Sequence, residues 1–92
     1  MSRNAQLTQP YPMVVHDVFG LTYPIIYPNP GIGELVKGEL WEVDSLKTID
    51  KLEHHPHYYK RELLPIRFGD HGEETEAWVY LFASPLKFLS SF

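Results

Sequence analysis

The chain has 92 residues, of which 43% are hydrophobic and 22% charged, and its formal net charge is −4 at pH 7. This balance predicts one folded domain and excludes a disordered or collagen-like chain, and the small acidic charge argues against broad binding to nucleic acid or an anionic membrane. Because there is no cysteine, disulfides, thiolate metal sites and a cysteine nucleophile are also excluded.

The N-terminal part of the chain is predicted to begin with a flexible lead-in over residues 1–12, which are polar and contain Pro10 and Pro12. The single domain is predicted to span residues 13–92. No apolar run approaches the ~20 residues of a membrane span, and the lead-in lacks the apolar core of a signal peptide, so we expect a cytoplasmic location. Residues 21–27 are rich in β-branched and aromatic side chains and predict a strand.

The middle of the chain contains sequence signals for a turn, a strand and a helix, in that order. Residues 27–33 contain two prolines and two glycines and predict a turn. Residues 34–43 predict a strand, with Gly38 marking a bulge or a close backbone approach. Residues 45–53 predict a short helix, because an N-cap signal precedes apolar residues at helical spacing.

The C-terminal part is predicted to return to strands. Residues 58–68 and 76–82 favour strands, and the glycines of residues 69–72 favour the turn between them. The second of these strands is apolar on both faces, which predicts a central strand covered on both sides. Residues 86–92 predict a short amphipathic helix. Strands dominate, so the fold class is predicted to be α+β and mostly β: a small antiparallel or mixed β-barrel with one or two short helices.

One acidic side chain falls on the apolar side of the predicted helix. With ~100° between successive residues, Glu53 lies between Leu46 and Ile49 in angle. A carboxylate held against apolar surface loses hydration, its pKa should rise, and a raised pKa suits a general acid/base. The alternative is that Glu53 turns to solvent or pairs with Lys60 or Arg61.

Five segments resemble, in order and spacing, motifs of the gamma-glutamylcyclotransferase-like superfamily. They cover about sixty residues of this chain, and each motif alone is short. The segments are Tyr23-Pro24, residues 36–44 (V-x-G-E-L-[YW]-x-V-D), residues 49–53 (L-D-x-L-E), Tyr59-Lys60-Arg61 (Y-x-R) and residues 77–80 (A-W-V-Y).

The resemblance implies a small β-barrel that needs no cofactor and takes a small gamma-glutamyl substrate. It implies that Glu53 is the acid/base that moves a proton from the substrate's alpha-amino group. That amine then attacks its own gamma-carbonyl and closes 5-oxoproline. Tyr59 matches an aromatic position that borders the family's pocket, and Tyr58 takes that role if the match shifts by one residue.

Two departures from the family pattern bear on this expectation. The Tyr-Gly-Ser/Thr string that ends the family's first strand is missing, so the first strand and its carboxylate-binding loop are expected to be absent. His54 stands where the family usually has glycine. A missing strand leaves a sheet edge uncovered, and we expect this edge to support a homodimer.

The sequence leaves two kinds of function open. One is the cyclisation through Glu53; the other is a non-catalytic or truncated relative that binds a small ligand or a protein. The run His54-His55-Pro56-His57 is open to two interpretations, a metal site and a solvated loop at the helix exit. The solvated loop is favoured, because Pro56 splits the run and adjacent residues point apart, so no metal is expected.

Overall fold

The computed structural model describes residues 2–85. Within them the chain is mostly β, as predicted, with a single short helix. In chain order the elements are β1 (Ser2–Leu7), β2 (Met13–Val18), β3 (Leu21–Ile26), β4 (Lys37–Trp41), α1 (Lys47–Leu52), β5 (Tyr59–Phe68) and β6 (Glu73–Phe82).

The strands lie in two antiparallel sheets. Four of them pair in the order β4-β1-β5-β6, and β2 and β3 form a separate two-stranded hairpin. In the described part of the chain, β4 pairs only with β1 and β6 only with β5. Within residues 2–85 the predicted barrel is therefore not closed, because neither end strand of the larger sheet pairs with a second described strand.

The prediction of an irregular lead-in over residues 1–12 is wrong for residues 2–7, which form strand β1 inside the larger sheet. β1 pairs with β4 on one side and with β5 on the other. Strand β1 is mostly polar, and within it only Leu7 is counted in the buried core. Its place is fixed by backbone pairing on both sides, which a hydrophobicity pattern does not report.

β5 and β6 form a long hairpin whose turn contains Gly69 and Gly72 at positive φ. β6 begins at Glu73, three residues earlier than predicted, and Arg67 and Glu74 form an ion pair across this end of the hairpin (Nε to Oε1, 3.0 Å). The sequence predicted that this strand is central, but in the described residues β6 is an edge strand.

The core is small and lies on one face of the larger sheet. Leu64 and Ile66 of β5 and Leu81 of β6 are buried on this face. Tyr11 reaches the core from the segment that follows β1, and an isolated bridge joins it to Glu34. The remaining members of the buried cluster are Leu7 and Val36.

Helix α1 is shorter than the predicted residues 45–53. Leu46 is its N-cap residue and makes no side-chain cap bond, while the Ser45 hydroxyl accepts a hydrogen bond from the Lys47 amide at 3.2 Å. No helix formed by residues 2–85 has the length and apolar character needed to cross a bilayer. The helix predicted over residues 86–92 lies outside the described residues.

Candidate active site

Helix α1 turns one arc of side chains toward the sheet. Leu46, Ile49, Asp50 and Glu53 are all half-buried. This arc agrees with the helical wheel, which sets Glu53 between Leu46 and Ile49. Leu52 was expected on the apolar face of the helix but is 73% exposed. On the helical wheel it lies about 60° beyond Ile49, outside the half-buried arc.

Asp50 links α1 to both strands of the hairpin. The Tyr80 hydroxyl donates a hydrogen bond to Asp50 Oδ1 at 2.6 Å, and Arg61 Nε donates to the same oxygen at 2.9 Å. The Arg61 guanidinium also lies over the Trp78 ring, 4.5 Å from its centroid. Charge-assisted hydrogen bonds of this kind are stronger than neutral ones, so the last turn of α1 is tied to β5 and β6.

The hydrogen bond between Asp50 and Tyr80 changes the pKa of both side chains. The hydrogen bond from Tyr80 is the main cause that lowers the pKa of Asp50 below its usual value of 3.8, with a further contribution from Arg61. Burial, followed by the hydrogen bond to Asp50, raises the pKa of Tyr80 to about 12. The Asp50 carboxylate is therefore ionised and the Tyr80 phenol protonated at neutral pH, which keeps the donor and acceptor in place.

Tyr59 faces the site more closely than Tyr58 does. Tyr59 is half-buried, and its ring lies edge-on to Phe82 with centroids 6.0 Å apart. Burial is the main cause that raises the pKa of its phenol, and the negative charge of Glu53 raises it further. Tyr58 is 63% exposed and its ring contacts that of His54. Of the two predicted substrate-binding tyrosines, Tyr59 is thus the more buried one, and the charge of Glu53 acts on its phenol.

The histidines after α1 have separate surroundings. His55 Nδ1 accepts a hydrogen bond from the Arg61 amide at 3.3 Å, whereas the His54 ring lies 5.9 Å from that of Tyr58. His57 is exposed. Residues 2–85 contain no group of three or more metal-ligating side chains of the His, Cys, Asp or Glu type.

In the described part of the chain, an apolar hollow lies next to α1. Its volume is about 680 Å³, and Leu46, Ile49 and Tyr80 border it. Glu53 borders neither this hollow nor a second one, of about 760 Å³, at the Gly69 turn. Of the four half-buried side chains on this arc, Leu46 and Ile49 line the hollow, whereas Asp50 and Glu53 do not.

Sequence reasoning identified Glu53 but missed the group formed by Asp50, Arg61 and Tyr80. One signal was present: on the helical wheel Asp50 falls at about 40° from Leu46, on the same arc as Glu53. The partners of Asp50 lie 11 and 30 residues away. Asp50, Arg61 and Tyr80 meet only because α1 packs on the hairpin. The spacing of residues along the sequence does not predict that packing.

Residues 2–90 match the family model described as gamma-glutamyl cyclotransferase, AIG2-like. A solved structure of an AIG2-like protein from Mus musculus superimposes with a TM-score of 0.79 at 27% identity. The match covers 92% of this chain and 60% of that one.

Two relatives show how much of their length this chain represents. A protein of Methanocaldococcus jannaschii, provisionally named a gamma-glutamylcyclotransferase, is 46% identical over 61 residues, which are 64% of this chain and 49% of the relative. The gamma-glutamylaminecyclotransferase C of Danio rerio is 33% identical over 82 residues, which are 83% of this chain and 53% of the relative. The chain thus spans about half the length of each.

Proposed function

Because this chain belongs to the gamma-glutamyl cyclotransferase, AIG2-like family, we propose that it cyclises a gamma-glutamyl amine or gamma-glutamyl amino acid to 5-oxoproline, with Glu53 as the acid/base. The observation that carries the proposal is the position of Glu53: half-buried on the sheet-facing arc of α1, where its charge raises the pKa of the Tyr59 phenol after the larger effect of burial. Gamma-glutamylamine is in the name of three Danio rerio relatives, which supports this substrate class.

The proposed step is an intramolecular acyl transfer. Glu53 removes a proton from the substrate's alpha-ammonium group, and the free amine attacks the gamma-carbonyl carbon. A ring C–N bond forms, and the bond to the leaving amine breaks as Glu53 passes its proton to that nitrogen. The ring nitrogen then gives up its second proton, so the products are the neutral lactam and the departing amine as its ammonium ion. Because nucleophile and carbonyl belong to one molecule, the protein's task is to set their geometry and transfer the proton.

The surroundings of Glu53 suit that task. Asp50 is one helical turn before Glu53 and holds α1 on the hairpin through Arg61 and Tyr80. A fixed helix end limits how far the Glu53 carboxylate can move from Tyr59. Proton transfer needs hydrogen-bond reach, so a base on a held element is more effective than one on a free loop.

A second candidate is a non-catalytic relative that binds a small ligand or a protein. It is favoured by the finding that Glu53 borders neither of the two hollows described above, and by the missing Tyr-Gly-Ser/Thr string. The apolar hollow beside Leu46 and Ile49 could then serve binding without any role for Glu53.

Release of 5-oxoproline from a panel of gamma-glutamyl amines and gamma-glutamyl amino acids separates the two candidates. We expect turnover by the wild type and a loss of roughly 10²–10⁴-fold in Glu53→Gln, the range for removal of a general acid/base. Glu73→Gln, which changes an exposed carboxylate in β6, should keep wild-type activity.

Two outcomes would count against the cyclisation. Full activity in Glu53→Gln would remove this residue from its role. A folded wild type that turns over no member of the panel would favour the binding module instead.

A further inference from the structure

Three aromatic rings from separate parts of the chain meet at one end of the hairpin formed by β5 and β6. Tyr59 of β5 and Phe82 of β6 are directly opposite each other in the register, and their ring centroids lie 6.0 Å apart with the planes at 82°. Tyr27, which directly follows β3, places its ring centroid 5.4 Å from that of Phe82, with the planes at 60°. Tilted and edge-on contacts are the arrangements that aromatic rings prefer. We call these three residues the aromatic cluster.

The aromatic cluster lies next to the contacts that hold α1. Arg61 and Tyr80, the two partners of Asp50, are also directly opposite each other in the β5–β6 hairpin. Tyr59 and Phe82 are each two residues away along the same strands. Side chains two residues apart on a strand leave the same face, so the cluster and the partners of Asp50 share one face of the hairpin.

The C-terminal end of α1, which carries Glu53, is directed toward the cluster. Residues 53–58 connect α1 to Tyr59 at the start of β5, and Glu53 follows Asp50 by about one helical turn. In agreement, burial is the largest cause that raises the pKa values of the Tyr59 and Tyr80 phenols, and the charge of Glu53 adds to both. Glu53 and the aromatic cluster therefore share one end of the hairpin.

The other groups on this face are already engaged. The Tyr80 hydroxyl and Arg61 Nε both donate to Asp50, and the Arg61 guanidinium lies over the Trp78 ring. Arg61 and Asp50 form an ion pair at 2.9 Å, so together they add no net charge. Each ring of the cluster, by contrast, is half-buried and keeps part of its surface open. The surface that a ligand meets beyond Glu53 is therefore aromatic.

We propose, on the basis of the cyclisation proposed above, that the aromatic cluster binds the substituent of the leaving amine, and that the chain prefers gamma-glutamyl amines whose substituent carries an aromatic ring. In the cyclisation Glu53 passes its proton to the leaving nitrogen, so this nitrogen must come within hydrogen-bond reach of Glu53. Its substituent then begins at the end of the hairpin where the cluster lies. An aromatic ring there gains edge-on or offset contacts beyond those of an aliphatic group of similar size.

Tyr27 is the specificity-determining residue of the cluster. It belongs neither to the β5–β6 hairpin nor to α1, so a change of its ring leaves the bonds of Asp50 in place. The Tyr27 amide donates to the Pro12 carbonyl at 2.9 Å, a backbone bond that does not depend on the side chain. A variant at this position therefore tests the cluster without releasing α1.

The test compares three gamma-glutamyl amines that differ only in the leaving amine: ethylamine, cyclohexylethylamine and phenethylamine. Release of 5-oxoproline gives kcat/KM for each. We expect kcat/KM for the phenethylamine compound to exceed that for the ethylamine compound about tenfold, the lower end of the range for an added apolar group in a pocket. It should exceed that for the cyclohexylethylamine compound about threefold, the share that ring contacts supply.

Tyr27→Leu and Tyr27→Phe form a matched pair, because both lose the hydroxyl but only the phenylalanine keeps the ring. We expect Tyr27→Leu to lower the ratio of kcat/KM between the phenethylamine and cyclohexylethylamine compounds toward one, and Tyr27→Phe to retain the ratio of the wild type. A role in packing alone would lower kcat/KM for all three compounds by the same factor and leave the ratio unchanged. The comparison of the three compounds in the wild type holds whether or not Tyr27→Leu folds.

Equal kcat/KM for the three compounds in the wild type, or an unchanged ratio in folded Tyr27→Leu, would overturn the proposal and leave the cyclisation intact. If no compound releases 5-oxoproline, the cyclisation fails instead, and calorimetric binding of the phenethylamine and ethylamine compounds decides the role of the cluster. Tighter binding of the phenethylamine compound by the wild type than by Tyr27→Leu supports that role. Equal binding of the two compounds by the wild type overturns it.

Discussion

His54 occupies a backbone conformation that suits glycine. Its φ is 53°, in the left-handed region, and it directly follows Glu53, the C-cap residue of α1. A helix commonly ends on such a residue, and glycine is favoured there because a Cβ costs about 1–2 kcal/mol in this conformation. The His54 ring recovers part of this by packing on Tyr58.

We therefore expect His54→Gly to increase the free energy of unfolding by about 1 kcal/mol, the lower end of that cost. Urea unfolding followed by circular dichroism measures it. His54→Ala is the matched control, because it removes the same ring contact but keeps the Cβ, and it should be less stable than the wild type. A glycine variant no more stable than the alanine variant would show that the left-handed backbone is not strained.

The Tyr80 phenol gives the protein a predictable response to high pH. Its pKa is raised to about 12 in the folded state, mainly by burial and then by the bond to Asp50, from an ordinary value of 10.0. The folded state therefore holds this proton more tightly than the unfolded state. The resulting stability is fully present below pH 10 and is lost as the pH rises toward 12.

Tyr80→Phe lacks this contribution, so its free energy of unfolding should fall less steeply than that of the wild type between pH 10 and pH 12. A slope remains in the variant, because the pKa values of Tyr11 and Tyr59 are also raised, chiefly by burial. Urea unfolding at intervals across this range measures both slopes. If the wild type and Tyr80→Phe lose stability with pH at the same rate, the Tyr80 phenol is not shielded from solvent by α1 in the folded state.

Among the elements, the loop between β3 and β4 has the most demanding backbone. Gly33 has φ 99°, and a Cβ built there would lie 2.4 Å from the Tyr11 carbonyl oxygen. This close approach sits beside the bridge between Tyr11 and Glu34. Gly31 has a similar φ of 90°, but a Cβ there would meet nothing within 4 Å.

The two glycines form a matched pair. Gly31→Ala should cost about 1–2 kcal/mol for the backbone conformation alone, whereas Gly33→Ala should cost about 3 kcal/mol or more, because a steric clash is added. Thermal unfolding of the two variants gives the difference. Equal losses would show that the loop moves away from Tyr11 at little cost.

The sequence predicted most of the individual strands and the helix, but it did not predict the order of the strands in the larger sheet. The strands predicted over residues 58–68 and 21–27 match β5 and β3 almost to their ends, because β-branched and aromatic side chains and the turns beside them mark these segments. β1 was missed because its stability comes from two neighbouring backbones. β6 was placed in the centre because both its faces are apolar, yet apolar faces do not show which strand lies alongside.

At the scale of the molecule, the described residues leave many large apolar side chains outside the core. Among residues 2–85, seven hydrophobic residues are buried, while thirteen large hydrophobic ones are exposed, among them Trp41 on β4 and Trp78 on β6. The sequence could predict the position of Glu53, because a helical wheel needs only local spacing. It could not predict that β4 and β6 do not pair with each other within residues 2–85, because closure of a sheet depends on which strands lie alongside each other.

A core this small makes individual buried residues decisive. Leu81 is 1% exposed and central to the buried cluster, whereas Leu63, one strand away, is 46% exposed beside Trp78. Leu81→Ala should lose about 3 kcal/mol of a total stability of about 5–15 kcal/mol, and Leu63→Ala less than about 1 kcal/mol. The midpoints of urea unfolding compare the two at matched protein concentration. A loss in Leu63→Ala as large as that in Leu81→Ala would mean that the face carrying Trp78 is covered in solution, and the buried core would then extend to both faces of the hairpin.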